Sequence, residues 1–473
     1  MSLRHLFRKY SLDEVFTPST IAKLTYVQRL TLENDVDKFL RIPGMQIVLY
    51  GHSGCGKSTL IYNKLNSHDI KYINTSCISS TTFNDLLYQA FDKLNSFYVA
   101  EKTSTNKITI SNEIKAKYAA ISSALSQTVT EENSAKSVRV LPVQITPERL
   151  AEFLGAANCV WVIEDFHKVI GAEKKKIADV LKIFMDTAKD YMRLKIICIG
   201  AVGTARELIE LDSNLSTRVA EIYVPLLSEA ELVTIINKGF RLMNVTYKNE
   251  IRDKIVYYSN NLASICHQLC YDICFEHNIT KSKVFKYCIK SNDFNRSVVS
   301  YVRKNSDTLN KIFDNISTKE TLKYIIKAII KSQQESLTID ELHAEVKKIK
   351  NIEKEDIETA VNALLLPEFN EVLRFDITSR KFTFSSPFFH AFAKMKLALE
   401  QAEKAERRKK RKKRKGFALE GSEETFFINE KLFEDISKSV EDLYRERLEI
   451  LHKRLKKTGS TPITFENISK KDN

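Results

Sequence analysis

The stretch Met45-Gln46-Ile47-Val48-Leu49-Tyr50-Gly51-His52-Ser53-Gly54-Cys55-Gly56-Lys57-Ser58-Thr59 decides the fold. An apolar run of strand type enters a glycine-rich turn, and Leu60-Ile61-Tyr62-Asn63-Lys64-Leu65 follows as a helix. The turn fits G-x-x-x-x-G-K-[ST] at every fixed position, in the order strand, loop, helix. Its glycines let the backbone wrap closely around phosphates, with several N–H groups pointing inward at a helix N-terminus where the dipole favours anions. Gly51, His52, Ser53, Gly54, Cys55, Gly56, Lys57, Ser58 and Thr59 are therefore expected to hold a nucleotide. Lys57 would reach the β- and γ-phosphates. The Ser58 hydroxyl would bind Mg²⁺, which keeps most of its waters and takes its other ligands from phosphate.

Working outward, Cys159-Val160-Trp161-Val162-Ile163-Glu164-Asp165 is an apolar strand ending in two carboxylates, the Walker B form. Such a strand delivers one acid to the Mg²⁺ water shell and one to orient or deprotonate an attacking water. By position Glu164 is the metal-side acid and Asp165 the catalytic one. Asp165 is one methylene shorter than a glutamate, which points to slow hydrolysis. Further strands are expected at Ile70 to Thr75, Leu194 to Gly200 and Glu221 to Leu226. Three more residues each have two readings. Thr204, just after the strand ending at Gly200, stands between the acids and the γ-phosphate or is a plain helix N-cap. Arg218 reaches a neighbouring subunit's γ-phosphate or makes an ordinary surface ion pair. Arg29 closes over the base or approaches the phosphates, or is a solvated arginine.

The 473 residues are 43% hydrophobic, enough for sizeable cores and two or three domains. No apolar stretch is long enough to span a bilayer, and the start, Met1 to Tyr10, has no secretory h-region, so a cytoplasmic protein without membrane contact is expected. Eight cysteines without a CxxC pair argue against a zinc ribbon or redox motif. Cys266, Cys270 and Cys274 share a helix face with Leu262, Ile265, Leu269 and Ile273 and read as buried core rather than metal ligands. The net charge of +14 is concentrated: Lys404 to Lys415 holds ten Lys or Arg and one Glu, which leaves only +5 elsewhere. Attraction to nucleic acid or an acidic surface is thus local.

Taken together these motifs resemble the AAA+ and STAND group of P-loop ATPases, especially the branch of origin-recognition-complex-type initiators and transposition-regulator ATPases. The resemblance covers roughly residues 22 to 395 and rests on Val27-Gln28-Arg29, the phosphate loop, Val162 to Lys168, the strand ending at Gly200, Leu215-Ser216-Thr217-Arg218 and Pro225-Leu226-Leu227-Ser228. It implies an α/β fold, a parallel five-stranded sheet of order 5-1-4-3-2 with helices on both faces, an all-helical lid from Glu229 to about Tyr287, and ATP at a subunit boundary. Two departures stand out. The usual order of the acids is Asp then Glu, so the reversal here leaves their division of labour open. Where relatives carry a γ-phosphate-sensing arginine or histidine in the lid, Ser259 to His267 has no arginine, and His267 is a weak substitute.

The expected organisation is an N-terminal arm (1–22), an ATPase core (23–228, with an insertion at about 97–140), a lid (229–304), a winged-helix domain (305–396) and a basic, charged helical tail (397–473). The third winged-helix helix opens with Glu353-Lys354-Glu355-Asp356, which repels phosphates and favours protein contact over DNA reading. Lys404 to Lys415 would bind nucleic acid or an acidic partner, or stay solvated. Glu430 to Lys457 has a thin apolar stripe suited to a partner protein or self-association. The expected function is an ATP-dependent switch that assembles as a homo-oligomer or signals to a partner. The resemblance alone adds a bacterial defence or mobile-element setting. A DNA-binding initiator or loader, and an ATP-binding scaffold without useful turnover, are the alternatives.

Overall fold

The computed structural model describes residues 9–103, 145–202 and 204–414. Most of the expected insertion at 97–140, Lys415 and the charged helix from Glu430 to Lys457 lie outside the described residues. The described chain divides into two compact units. The first runs to Tyr301 and includes Glu371–Ala391; the second comprises Val302–Asn370 and the residues from Phe392 on.

The first unit opens with a short helix α1 (Leu12–Val15), then α2 (Leu30–Arg41) and β1 (Gln46–Tyr50). Helix α3 (Lys57–Ser67), β2 (Lys71–Ser76), α4 (Phe83–Thr103), α5 (Pro147–Ala156), β3 (Cys159–Glu164), α6 (Gly171–Thr187), β4 (Ile196–Gly200), α7 (Thr204–Leu211) and β5 (Val219–Tyr223) complete the sheet and its cover. The strands are parallel and ordered β2-β3-β4-β1-β5, as the resemblance implied. Ile47 pairs with Ile197, and Ser76 with Glu164.

A parallel sheet covered by helices must be apolar on both faces, and the period of two sorts its residues into two cores. Val48, Trp161, Ile163 and Cys198 face one core with Leu86, Phe91, Leu154 and Phe184. Ile47, Leu49, Val162 and Ile199 face the other with Val36, Leu60, Ile61 and Leu65. The α3 and α2 helices therefore pack under β1 on the face that also carries the phosphate loop.

Three helices follow: α8 (Glu229–Met243), α9 (Asn249–Ser259) and α10 (Ala263–Glu276). The expected all-helical lid also holds a short parallel ladder, β6 (Val245–Thr246) with β7 (Tyr287–Cys288). Cys266, Cys270 and Cys274 are wholly buried here.

The segment before the core is more ordered than its sequence suggests. Ser11 and Glu14 close a capping box on α1. The Leu12 N–H donates to Thr280 O (2.8 Å), and the Ser282 N–H donates to Tyr10 O (2.9 Å). Phe16 is fully buried, and a β-carbon on Gly239 would sit 2.3 Å from its ring. Gly239 therefore makes room for the arm.

Helix α11 (Ser291–Lys304) leads into the second unit, with α12 (Lys311–Ser317), α13 (Glu320–Ser332), α14 (Ile339–Lys347) and α15 (Lys354–Leu364). Their core includes Leu322, Ile325, Val346 and Leu364, and Glu355 and Asp356 at the start of α15 are exposed. The antiparallel hairpin β8 (Leu373–Asp376) and β9 (Lys381–Phe384) groups with the first unit. Helix α16 (Pro387–Arg414) carries the basic run as continuous helix to its last described residue. No helix among the described residues is long and apolar enough to cross a membrane.

Candidate functional site

Open parallel sheets bind ligands outside the carboxyl ends of their strands. Here β1 and β3 end at a cleft of about 730 Å³. Ser53 through Thr59 line it on one side and Glu164 and Asp165 on another. The segment from Thr17 to Val27, the lid residues Ser264 and His267, and Phe388 at the start of α16 close the rest.

Gly56 adopts φ 95° and turns the loop into α3. Left-handed backbone of this kind is cheap only for glycine. Gly54 (φ 71°) is crowded as well: a β-carbon there would lie 2.6 Å from Ser264 Oγ and 2.8 Å from Phe388 Cζ. The phosphate loop is thus in contact with the lid and with the first turn of α16. Asn260 of the lid donates from Nδ2 to Pro387 O at 3.0 Å, which holds that turn in place.

Lys57 aims its ammonium back along the loop, donating to Gly51 O (2.9 Å) and His52 O (2.8 Å). Gly51 and His52 do not themselves line the cleft; their carbonyls hold the lysine. Burial, with help from Arg374 and Lys57, pushes the His52 imidazole below its usual pKa, so it is neutral at pH 7. Burial likewise raises the Cys55 thiol above its ordinary pKa.

Ser58 donates its hydroxyl to Glu164 Oε2 at 3.0 Å. A hydroxyl and a carboxylate side by side at a phosphate loop are the hard oxygen donors that suit Mg²⁺ with water and phosphate as further ligands. The two acids diverge. Asp165 takes left-handed backbone (φ 56°) and its carboxylate pairs with Lys168 Nζ at 2.6 Å, about half exposed. Glu164 faces Ser58, whereas Asp165 sits on the cleft edge with a cation of its own.

Arg29 lines the cleft but is neither solvated nor directed at its floor. It donates from Nε to Glu231 Oε1 (3.1 Å) and from Nη2 to Pro225 O (3.0 Å) and Leu226 O (3.1 Å). It ties the segment before α2 to the entry of the lid.

Thr204 needs correction. It is fully buried and its hydroxyl donates to Ala201 O at 2.7 Å. Its side chain fills the space beside Gly200, where a β-carbon would lie 2.3 Å from Thr204 Oγ1. It does not line the cleft. Arg218 also lies away from it: its carbonyl accepts from Gln46 N–H at the opposite end of β1 (2.9 Å), and its exposed guanidinium meets Asp186 at 3.2 Å.

Sequence reasoning missed Asn74, Ser76 and Tyr62 among the lining residues, while His267, a weak substitute for a lid sensor in sequence, does border the cleft. Asn74 and Ser76 come from β2, with Ser76 in register with Glu164. Tyr62 lies one helical turn after Ser58, a spacing that could have placed it beneath the same site. His267 is 3% exposed and accepts the Thr17 N–H on Nδ1 at 3.0 Å, so the neutral ring carries its proton on Nε2. Burial lowers its pKa from 6.5 to about 4.

The model of the ATPase family associated with various cellular activities (AAA) matches residues 47–226. Among solved structures, the chain is similar to the Walker-type ATPase of Pyrococcus abyssi, at 12% identity over 78% of this chain and 96% of that one, TM-score 0.47. It is also similar to Cdc6p of Pyrobaculum aerophilum, at 12% identity over 81% and 97%, TM-score 0.40. For the ORC2 protein of Aeropyrum pernix the values are 10% over 82% and 98%, TM-score 0.44. Among curated proteins, no sequence matches this chain. Residues 47–226, with their phosphate loop, paired acids and five-stranded parallel sheet, thus match an AAA-type ATPase domain.

Proposed function

We propose that the protein is a molecular switch operated by ATP and Mg²⁺. The observation that carries this reading is the crowding at Gly54, where lid Ser264 and Phe388 of α16 both meet the phosphate loop. A ligand settling in that loop acts at once on stretches more than a hundred residues away in sequence. Lys57, leaving the carbonyls of Gly51 and His52, would meet the β- and γ-phosphates. Ser58 and Glu164 would hold the cation, which when bound neutralises charge on the phosphates. Asp165 is then the acid left to orient an attacking water. Its ion pair with Lys168 supports slow turnover, because that contact has to open before the carboxylate can turn to a water. Arg218, outside its own cleft, is assigned to a neighbouring subunit's nucleotide, which makes the working form an oligomer.

Two measurements test this. Lys57→Ala should weaken ATP binding by roughly tenfold to a hundredfold, the usual worth of a hydrogen bond to a charged group. Unchanged affinity sinks the reading. A slowly hydrolysed ATP analogue should also alter amide hydrogen exchange across 371–391. Bound nucleotide with no change there leaves an ATP-binding domain but removes the switch.

A further inference from the structure

Tyr62 is a buried polar group the nucleotide reading leaves unused. It sits on α3 one turn after Ser58 and is 4% exposed. Its ring is braced by Tyr72, with centroids 5.1 Å apart. Its hydroxyl reaches the cleft beside Glu164 and Asn74, yet makes no hydrogen bond of proper geometry with either. A phenol, with its ordinary pKa of about 10, is an O–H donor at neutral pH.

A buried hydroxyl without a partner is costly and rare. The neighbouring geometry indicates which partner it awaits. Glu164 now accepts on Oε2 from Ser58. If Ser58 and Glu164 both turn their oxygens to a divalent cation, that hydroxyl is directed to the metal, and the carboxylate loses the donor that orients it. Carboxylates that ligate metals are themselves hydrogen-bonded, and such outer partners set metal affinity. Tyr62 is placed to supply the missing donor from the helix below.

We propose that Tyr62 is a positioning residue for the metal-side carboxylate: its phenolic hydroxyl donates to Glu164 when Glu164 takes up Mg²⁺, and so fixes the orientation in which the cation is held. This rests on the reading of the cleft as a Mg²⁺–nucleotide site.

The test uses the full chain with Tyr62→Phe, which keeps the ring and its packing on Tyr72. The affinity for a fluorescent ATP analogue is measured first in EDTA and then across a Mg²⁺ titration. Mn²⁺ binding in the presence of nucleotide is followed by electron paramagnetic resonance. Metal-free affinity should change less than about twofold, while the Mg²⁺ midpoint and the Mn²⁺ dissociation constant rise about tenfold. In a Glu164→Gln background, Tyr62→Phe should add no further shift, because the two residues act as one unit. An unchanged metal midpoint overturns the proposal. So does an equal loss of affinity with and without metal, which would mark a packing role. Wild-type protein that binds no nucleotide overturns the underlying site reading as well, so the two failures are distinguishable.

Discussion

His267 shows how one buried side chain joins three parts of the fold. Its Nδ1 receives the Thr17 N–H, its ring meets Phe16 edge-on at 6.1 Å, and the residue borders the nucleotide cleft. Protonating Nδ1 would remove the acceptor and place a charge in an apolar setting. The folded pKa of about 4 lies below the unfolded value of 6.5, so between them the unfolded chain binds more protons. The stabilisation is fully present above pH 6.5 and is lost as pH falls toward 4, amounting to about 3 kcal/mol across the window. In urea unfolding between pH 7.5 and 5, wild type should therefore lose stability faster than His267→Asn, whose Oδ1 keeps an acceptor for Thr17 without titrating. Parallel slopes for the two proteins would remove His267 as the source. Residue-scale legibility was uneven. The phosphate loop and the acids were readable because their chemistry fixes spacing along the chain. Tyr62 and Asn74 were not, because each is brought in across elements and reads in sequence as one more core position, whereas His267 stood out only as a weak substitute for a lid arginine. Thr204 misled for a related reason: the missing side chain of Gly200 drew its hydroxyl into the interior.

At the scale of elements, periodicity found what was long enough to show it. The strands and the amphipathic helices were visible, and the expected strand at Glu221 to Leu226 appears slightly earlier as Val219–Tyr223. Helix α1, with four residues, has too few turns for a pattern. The arm that carries it read as irregular, although Phe16, Phe240 and Gly239 make it part of the lid core. The hairpin and first turn of α16 were expected to belong with the helices of 305–396. They instead group with the ATPase unit, and Phe388 reaches Gly54. That contact sets the first turn of α16 against the phosphate loop. Phe388→Ala should open the mouth of the cleft and speed release of a fluorescent ATP analogue roughly tenfold, with association quickened alongside and affinity changed less. Stopped-flow displacement checks this; release rates identical to wild type would show that the ring does not gate the loop.

For the whole molecule the central question is whether one cleft is a complete site. Within the first unit the phosphate loop, Glu164 and Asp165 converge, but no arginine among the lining residues is free for a γ-phosphate: Arg29 is committed to Glu231, Pro225 and Leu226. Arg218, an arginine of the ATPase core outside the cleft, has a weak ion pair with Asp186. Both it and Asp186 are more than half exposed, and such pairs contribute at most about 1 kcal/mol. It can therefore exchange Asp186 for a phosphate at low cost. An arginine supplied by a neighbour stabilises charge developing in the transition state more than it strengthens ground-state binding. Arg218→Ala should accordingly leave ATP affinity within about twofold of wild type while cutting turnover in concentrated, assembled protein by roughly a hundredfold or more. Mixing the variant with Lys57→Ala protein supplies the decisive arm. The Lys57→Ala subunits bind ATP poorly but present an intact Arg218, so they should restore turnover to Arg218→Ala neighbours. Particle mass measured with and without a slowly hydrolysed analogue shows whether the mixed assembly forms. If it forms and turnover stays at the variant's level, Arg218 acts within its own subunit or not at all, and the shared site is wrong.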